Sequence, residues 1–511
     1  MRSEKESRRI LIAGYIVITV FLLLAMRLWQ LQIIQGSKYR ELSEANRLRI
    51  INIPAPRGIL YDRNGIPLVR NSSYFFASII PLEFPKEKAK HLSKLLNIPE
   101  KEIYEKINKR ETGPYTPLRL KEGLSFQEVA YIEARKSDFP GLIIEAEVSR
   151  EYIYGSIGSH IIGYLGKPNP SQSKNPSYYN VPPDTFIGQW GVEMLFDKNL
   201  RGIPGERVIE VDSVGREIRL LREKPPIKGE DIILSIDINL QKAAEEAFGE
   251  KVGALVAIKT NTGEVLGLVS KPSFDPNLFA RGINYNEWAS LIRDKNRPML
   301  NRALQSQYPP GSVFKIITAI AGLEEGVIKP DTKVTCKGGI NYGRWHFGCW
   351  RKKGHGIMSL HKAIVESCDV YFYEVGKRLG IDKIYKYASS FGLGKETGFK
   401  LVSEKKGIVP NTKWKMEKKK QQWYLGETFN TSIGQGYLAV TPVQLAVMMS
   451  AIANGGNLYK PTLIKNTYPF ISGRAKVNQE TLDFIKSALY GVVNETGGTG
   501  WAAKSQFISI G

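Results

Sequence analysis

The chain has 511 residues, 42% hydrophobic and 24% charged, which suits an ordinary globular protein of roughly two to four domains. Its net charge of +22 falls outside that norm. No zinc-finger, helix-turn-helix or RNA-platform pattern accompanies the charge, which argues against a nucleic-acid partner and for an anionic membrane or envelope surface.

Arg2, Lys5, Arg8 and Arg9 precede an uncharged run over residues 10–26, continued after Arg27 by residues 28–34. That length is close to the ~20 residues needed to span a bilayer, with Arg27 and Trp29 placed to anchor at the far interface. No small-residue cleavage site follows, so the run predicts a retained signal anchor. The basic flank predicts a cytoplasmic tail over residues 1–9 and a single membrane span over 10–34. Everything after about Gly36 is then extracytoplasmic, outside the plasma (inner) membrane.

Residues 37–51 read as a polar helix. Pro56-Arg57-Gly58-Ile59-Leu60-Tyr61-Asp62-Arg63-Asn64-Gly65 reads as a hairpin turning at Asn-Gly. Residues 83–136 read as lysine-rich amphipathic helices, and residues 143–166 as a β-rich stretch. Residues 167–184, rich in Pro, Ser and Asn, read as a loop. Strands over 208–218 and a linker over 225–229 close a β-rich module over 37–225.

A second domain is predicted over 231–511. It opens with a strand over 232–237 and a helix over 240–248. A hairpin follows, with strands over 254–258 and 264–270 flanking Asn261-Thr262-Gly263. Helices follow, including one that contains Ser312 and two over 359–365 and 371–379. This order predicts an α+β domain, an antiparallel sheet packed with helices.

Tyr308-Pro309-Pro310-Gly311 breaks the chain just before the apolar run Ser312-Val313-Phe314-Lys315-Ile316-Ile317. Ser312 then opens a helix, and Lys315 shares its face one turn on. A serine hydroxyl is a weak nucleophile, and a lysine that has lost its proton in a desolvated pocket can activate it. S-x-x-K alone is a weak signal and reads more readily as a capping serine with a solvated lysine.

Other motifs accompany it in a fixed order. They are Arg150-x-Tyr152 with His160-x-x-Gly163-Tyr164, Gly191-x-Glu193, Leu200-Arg201-Gly202-x-x-Gly205 and Pro272-Ser273-Phe274-Asp275-Pro276-Asn277. Ser367-Cys368-Asp369 and Gly434-Gln435-Gly436-Tyr437 follow. With the hairpin from Arg57, these residues resemble a class B penicillin-binding protein, of the elongation-type penicillin-binding protein 2 kind found in rod-shaped bacteria. The resemblance implies an elongated pedestal followed by a transpeptidase domain that cross-links peptidoglycan during elongation. It implies a serine-type D-Ala-D-Ala transpeptidase or carboxypeptidase that takes stem peptides and β-lactams, with a RodA-type glycosyltransferase and an MreC-type scaffold as partners. Ser312 would be the acyl-enzyme nucleophile and Lys315 would take its proton. Ser367 would relay protons, and Asp369, where Asn is commoner, would hydrogen-bond substrate. On its own chemistry, Ser367 caps the following helix and Asp369 favours that helix's N-terminal dipole.

The family's K-[T/S]-G strand is expected just past Gly511. Lys504-Ser505-Gln506 lacks the glycine, and residues 507–511 read as the strand leading to the motif, so the domain is expected to be incomplete at its C-terminus. That leaves a non-catalytic partner of the elongation machinery as one alternative. A membrane-bound β-lactam hydrolase or sensor is another, against which the pedestal motifs argue.

The three cysteines, Cys336, Cys349 and Cys368, lie close together with His355 between them. Three thiols and an imidazole are the ligand set of a closed structural zinc site, and the surrounding glycines let the loop fold around an ion. A Cys336–Cys349 disulfide with Cys368 free, or three free thiols, are the alternatives. If Ser367 and Asp369 face a cleft, Cys368 points away from it, toward the loop. His346 is the alternative imidazole, and His361 reads as structural.

Overall fold

A computed structural model describes residues 2–39, 47–108, 117–178, 181, 185–212, 217–280 and 282–511. The N-terminal helix Arg2–Trp29 runs on as a π turn over Gln30–Ile34. Its stretch Arg9–Ile34, with mean hydropathy 2.4, is among the described residues the one helix long and apolar enough to cross a membrane. Of the polar helix predicted over 37–51, residues 40–46 lie outside the described residues. Its end is a strand instead, Leu48–Ile53, because Leu-Arg-Ile-Ile-Asn-Ile is rich in β-branched residues. It pairs antiparallel with Gly205–Val211, which pairs in turn with Glu217–Lys224.

The chain packs as two units that interleave in sequence. The first comprises Met1–Arg57, Ser72–Ser149 and Arg201–Gly229; the second comprises Gly58–Asn71, Arg150–Leu200 and Glu230–Gly511. This differs from the contiguous division at 225–231. Leu60, Leu68, Val69, Tyr152, Ile161 and Val192 share one buried core with Leu234, Leu268 and Leu304, which draws both early segments into the second unit.

In the first unit, Ala77 and Ile79 pack against Leu92, Leu96 and Ile103 of the helices Ala89–Leu96 and Glu100–Asn108. Helices alone were expected over 83–136, yet Leu118–Leu124 is a strand paired antiparallel with the end of Pro67–Ile79. Leu118, Leu120 and Leu124 fall on one face while Arg119 points out, a period of two that the lysine content and the exposed Glu122 obscure. The helix Phe126–Glu133 starts at a Ser125–Glu128 capping box.

In the second unit, the Asn64-Gly65 turn forms as predicted. Gly65 takes φ +82°, and Asp62 Oδ1 accepts the N–H groups of Asn64 (2.7 Å) and Ile66 (2.8 Å). Leu60–Tyr61 pairs with the start of Pro67–Ile79 on one side and, in parallel, with Ile232–Ile233 on the other. The strand predicted over 232–237 is cut to those two residues because Asp237 instead caps the helix Ile238–Phe248. His160 sits in a helical turn, Ser159–Ile162, rather than a strand. The predicted loop 167–184 holds short turns over Pro170–Ser173 and Pro176–Tyr178; residues 179–180 and 182–184 lie outside the described residues.

The hairpin Gly253–Ile258 and Val265–Lys271 is antiparallel. The helices Lys315–Glu324, Asp369–Leu379, Leu425–Ser432 and Gln479–Asn494 share a core that includes Phe314, Ile317, Ile320, Phe372 and Phe429. Residues 507–511 form no strand. Ser505 Oγ accepts the N–H groups of Phe507 (3.1 Å) and Ile508 (3.3 Å), and the Ile510 carbonyl accepts from Asn494 Nδ2 (2.8 Å). Such local bonds take up the groups a ladder would use.

Candidate active site

Gly311 takes φ +58°, and the chain then winds through a 3-10 turn over Gly311–Phe314 into the helix Lys315–Glu324. Gly434, at φ +79°, lies against it: a Cβ there would stand 2.1 Å from the Gly311 carbonyl oxygen, and Gly311 N–H donates to Gly434 O (3.0 Å). The first glycine of Gly434-Gln435-Gly436 is therefore required by two backbones in contact. Buried Phe314 and Ile317 fix the helix, leaving Ser312 exposed and Lys315 buried.

The predicted catalytic residues converge. Lys315 Nζ donates to Asp369 Oδ1 (2.6 Å), to the Ser367 carbonyl (2.9 Å) and to Ser367 Oγ (3.0 Å). Ser367 Oγ donates onward to Ser312 Oγ (3.0 Å). Ser312 and Lys315 thus meet through Ser367; among the described residues no direct hydrogen bond joins them.

One detail differs from the sequence reading. Ser367 does not cap the helix Asp369–Leu379; Cys368 occupies the N-cap position without a side-chain cap bond, because the Ser367 hydroxyl is engaged between Ser312 and Lys315. Asp369 stands in the first helical turn, as its charge favours. Its Oδ1 is on Lys315, and its Oδ2 accepts the Trp350 backbone N–H (2.9 Å). Ser367 itself takes φ +51°, unusual for a residue with a Cβ.

The cysteine loop lies directly behind this turn. Val334–Cys336 pairs antiparallel with Gly356–Met358, and the hairpin Gly339–Tyr342 and Trp345–Gly348 returns the chain to Cys349. The donor atoms of Cys336, Cys349, His355 and Cys368 all lie within 4.8 Å of one another. His355 Nδ1 is 3.6 Å from the Cys336 sulfur and 3.5 Å from that of Cys349. All three cysteines are free and buried, so the disulfide alternative is not what the structure shows; the sulfurs gather around the imidazole instead. Cys368 points into this cluster, as anticipated. His346 lies apart, bonded to Asn341 Oδ1 (2.7 Å), and His361 pairs with Glu495 (2.8 Å). A hydrogen bond from the Cys368 thiol pulls Cys349 down to about 5, helped against burial by the backbone N–H groups of Arg351, Asp369 and Val370. The same bond, with burial, pushes Cys368 up.

Sequence reasoning missed Trp350. Its sole signal was an aromatic residue directly after Cys349 in a glycine-rich loop.

Comparison with known proteins fits this frame. Residues 52–234 match the penicillin-binding protein dimerisation domain, and residues 253–510 match the penicillin binding protein transpeptidase domain. The chain belongs to the penicillin-binding proteins. Peptidoglycan D,D-transpeptidase MrdA of Acinetobacter baumannii is 36% identical over 96% of this chain and 75% of its own length. MrdA of Escherichia coli K12 is 32% identical, over 96% and 81% respectively. Among solved structures, the penicillin-binding protein PBP2 of Helicobacter pylori in complex with MreC matches with TM-score 0.76 at 28% identity. That match covers 90% of this chain and 86% of the other. A chain from a peptidoglycan synthase complex that coordinates polymerization and crosslinking matches with TM-score 0.72 at 32% identity, covering 95% and 85%.

Proposed function

We propose that the chain is a peptidoglycan D,D-transpeptidase that cross-links stem peptides through a serine acyl-enzyme and is acylated by penicillin. The observation that carries this reading is the Ser367 hydroxyl, 3.0 Å from both Ser312 Oγ and Lys315 Nζ. Ser312 Oγ attacks the carbonyl carbon of the D-Ala-D-Ala bond. Its proton passes to Ser367 Oγ as the proton of Ser367 passes to Lys315, which accepts only as the neutral amine. Collapse of the tetrahedral adduct breaks the C–N bond, and the same chain returns a proton to the departing D-Ala amine. An amine from a second stem peptide then attacks the Ser312 ester by the reverse steps, giving the cross-link. Water in that place gives hydrolysis, the carboxypeptidase outcome.

Cys336, Cys349, His355 and Cys368 are the residues that would hold one structural zinc ion. Tetrahedral bonds of ~2.3 Å to sulfur and ~2.0–2.1 Å to nitrogen put sulfur and nitrogen roughly 3.6 Å apart. The separations of 3.6 and 3.5 Å to His355 support that reading. Held by those four residues, the ion would supply structure rather than chemistry. It would hold Cys368, and with it the Ser367–Asp369 turn.

The basic residues before Ile10 put the N-terminus in the cytoplasm and the catalytic unit outside the plasma membrane. An MreC-type scaffold and a RodA-type glycosyltransferase are the partners this role calls for. The Helicobacter pylori relative's complex with MreC and the synthase complex that joins polymerization to crosslinking support them.

Labelling the full chain with fluorescent penicillin tests the central claim. Ser312→Ala should take no label, and slow loss of label from the unsubstituted chain fits a transpeptidase. Label persisting on another serine overturns the assignment; rapid loss would instead mark a hydrolase.

A further inference from the structure

Trp350 makes bonds out of proportion to its burial. Its side chain is 58% exposed, so little apolar area is removed from water at this position. Yet its indole N–H is shared between two backbone carbonyls, Glu366 O (3.1 Å) and Ser367 O (3.0 Å). Its backbone N–H donates to Asp369 Oδ2 (2.9 Å). The next residue braces the same turn, Arg351 Nη1 reaching Glu366 Oε2 (3.2 Å).

These acceptors lie in the reactive network. The Ser367 carbonyl also accepts from Lys315 Nζ (2.9 Å), so Trp350 and Lys315 share one oxygen. Asp369 offers one carboxylate oxygen to Lys315 and the other to Trp350. Ser367 is held at φ +51°, a left-handed conformation that is strained for a residue with a Cβ. Such strain persists only where surrounding bonds fix it. The shared carbonyl is where they do so.

We propose that Trp350 is a positioning residue for acylation: its two N–H groups hold the Ser367 carbonyl and the Asp369 carboxylate so that the Ser367 hydroxyl sits between Ser312 and Lys315. The role rests on the reading of Ser312 as nucleophile. Trp350 itself passes no proton and touches neither reacting oxygen.

The test uses the full chain in detergent and resolves penicillin acylation into a binding constant and a first-order acylation step from the concentration dependence of labelling. Trp350→Phe keeps a ring but removes the indole donor. It should slow the acylation step about tenfold, as the loss of one to two hydrogen bonds implies, and leave the binding constant unchanged. Trp350→His places a ring N–H near the position of the indole N–H and should recover most of the rate. Trp350→Phe acylating within twofold of the unsubstituted chain overturns the proposal. So does a fall in binding and rate together that His does not rescue, which would mean a merely structural tryptophan. No label on the unsubstituted chain would defeat the nucleophile reading first, and the positioning role with it; the two failures are therefore told apart.

Discussion

Ser367 should separate catalysis from folding in a single pair of substitutions. Its hydroxyl makes two bonds of 3.0 Å, to Lys315 and Ser312, while its backbone sits at φ +51°. Ser367→Ala and Ser367→Gly both delete the hydroxyl, and with it a proton path of the kind that contributes roughly 10²–10⁴ in rate. Both variants also lose the two bonds, worth about 1 kcal/mol each. They differ in backbone. Alanine keeps the left-handed penalty of roughly 1–2 kcal/mol, whereas glycine escapes it and loses ~0.5–1 kcal/mol through its freer unfolded chain. Glycine should therefore be the more stable variant by roughly 0.5–1 kcal/mol, or about 1 °C in Tm for a unit of this size. Fluorescent-penicillin acylation constants and thermal melts of the two variants check both halves. Either variant acylating within tenfold of the unsubstituted chain would refute the hydroxyl as the bridge. An alanine variant melting above the glycine one would refute the strain.

Two further outcomes follow from buried groups. The zinc reading predicts about one zinc per chain, lost on chelation or in Cys349→Ser, with a fall in Tm of roughly 5 °C or more that zinc reverses in the unsubstituted protein; metal analysis finding no zinc and no response to chelator would defeat it. Burial holds His160 down to about 4, against an ordinary value of 6.5, with the charges of Arg302 and Lys271 acting the same way and its bond to Pro298 O opposing. Above pH 6.5 the folded and unfolded forms are both neutral; below it the unfolded chain takes up a proton that the folded one refuses, so stability falls until about pH 4, by about 3 kcal/mol in all. Denaturant unfolding across that window should show the slope, and His160→Gln should lack it; equal slopes would show that other groups carry the acid response.

What the sequence disclosed was local or chemical in kind. Ser312 and Lys315 are three positions apart on a helix whose start is marked by Pro309, Pro310 and Gly311, so their common face follows from helix geometry. The cysteine cluster was legible from donor type and from the glycines that let the loop close. The interleaved units were not, because they depend on which distant apolar residues bury together, as Val69 and Tyr152 do with Leu234. The strand Leu118–Leu124 was hidden by charge, and residues 507–511 have strand-like composition without forming a ladder. Nor could residue type reveal the left-handed backbone of Ser367. Serine rarely adopts it, and what fixes it is a tryptophan 17 positions away.

The turn Glu366-Ser367-Cys368-Asp369 joins the two clusters by a constraint of chain geometry. Ser367 and Asp369 send their polar groups toward Lys315, while Cys368 between them sends its sulfur into the group around His355. A residue between two others cannot move by an ångström without carrying both neighbours, since consecutive Cα atoms are fixed at ~3.8 Å. The opposite wall of the cysteine cluster behaves alike: Cys349 faces His355, and the next residue, Trp350, bonds Ser367 and Asp369. Two runs of adjacent residues, Cys349 with Trp350 and Cys368 with its flanking Ser367 and Asp369, therefore tie the thiol cluster to the Ser312–Ser367–Lys315 hydrogen bonds from both sides. The Ser367 hydroxyl is held as much by what lies behind the turn as by the lysine in front of it.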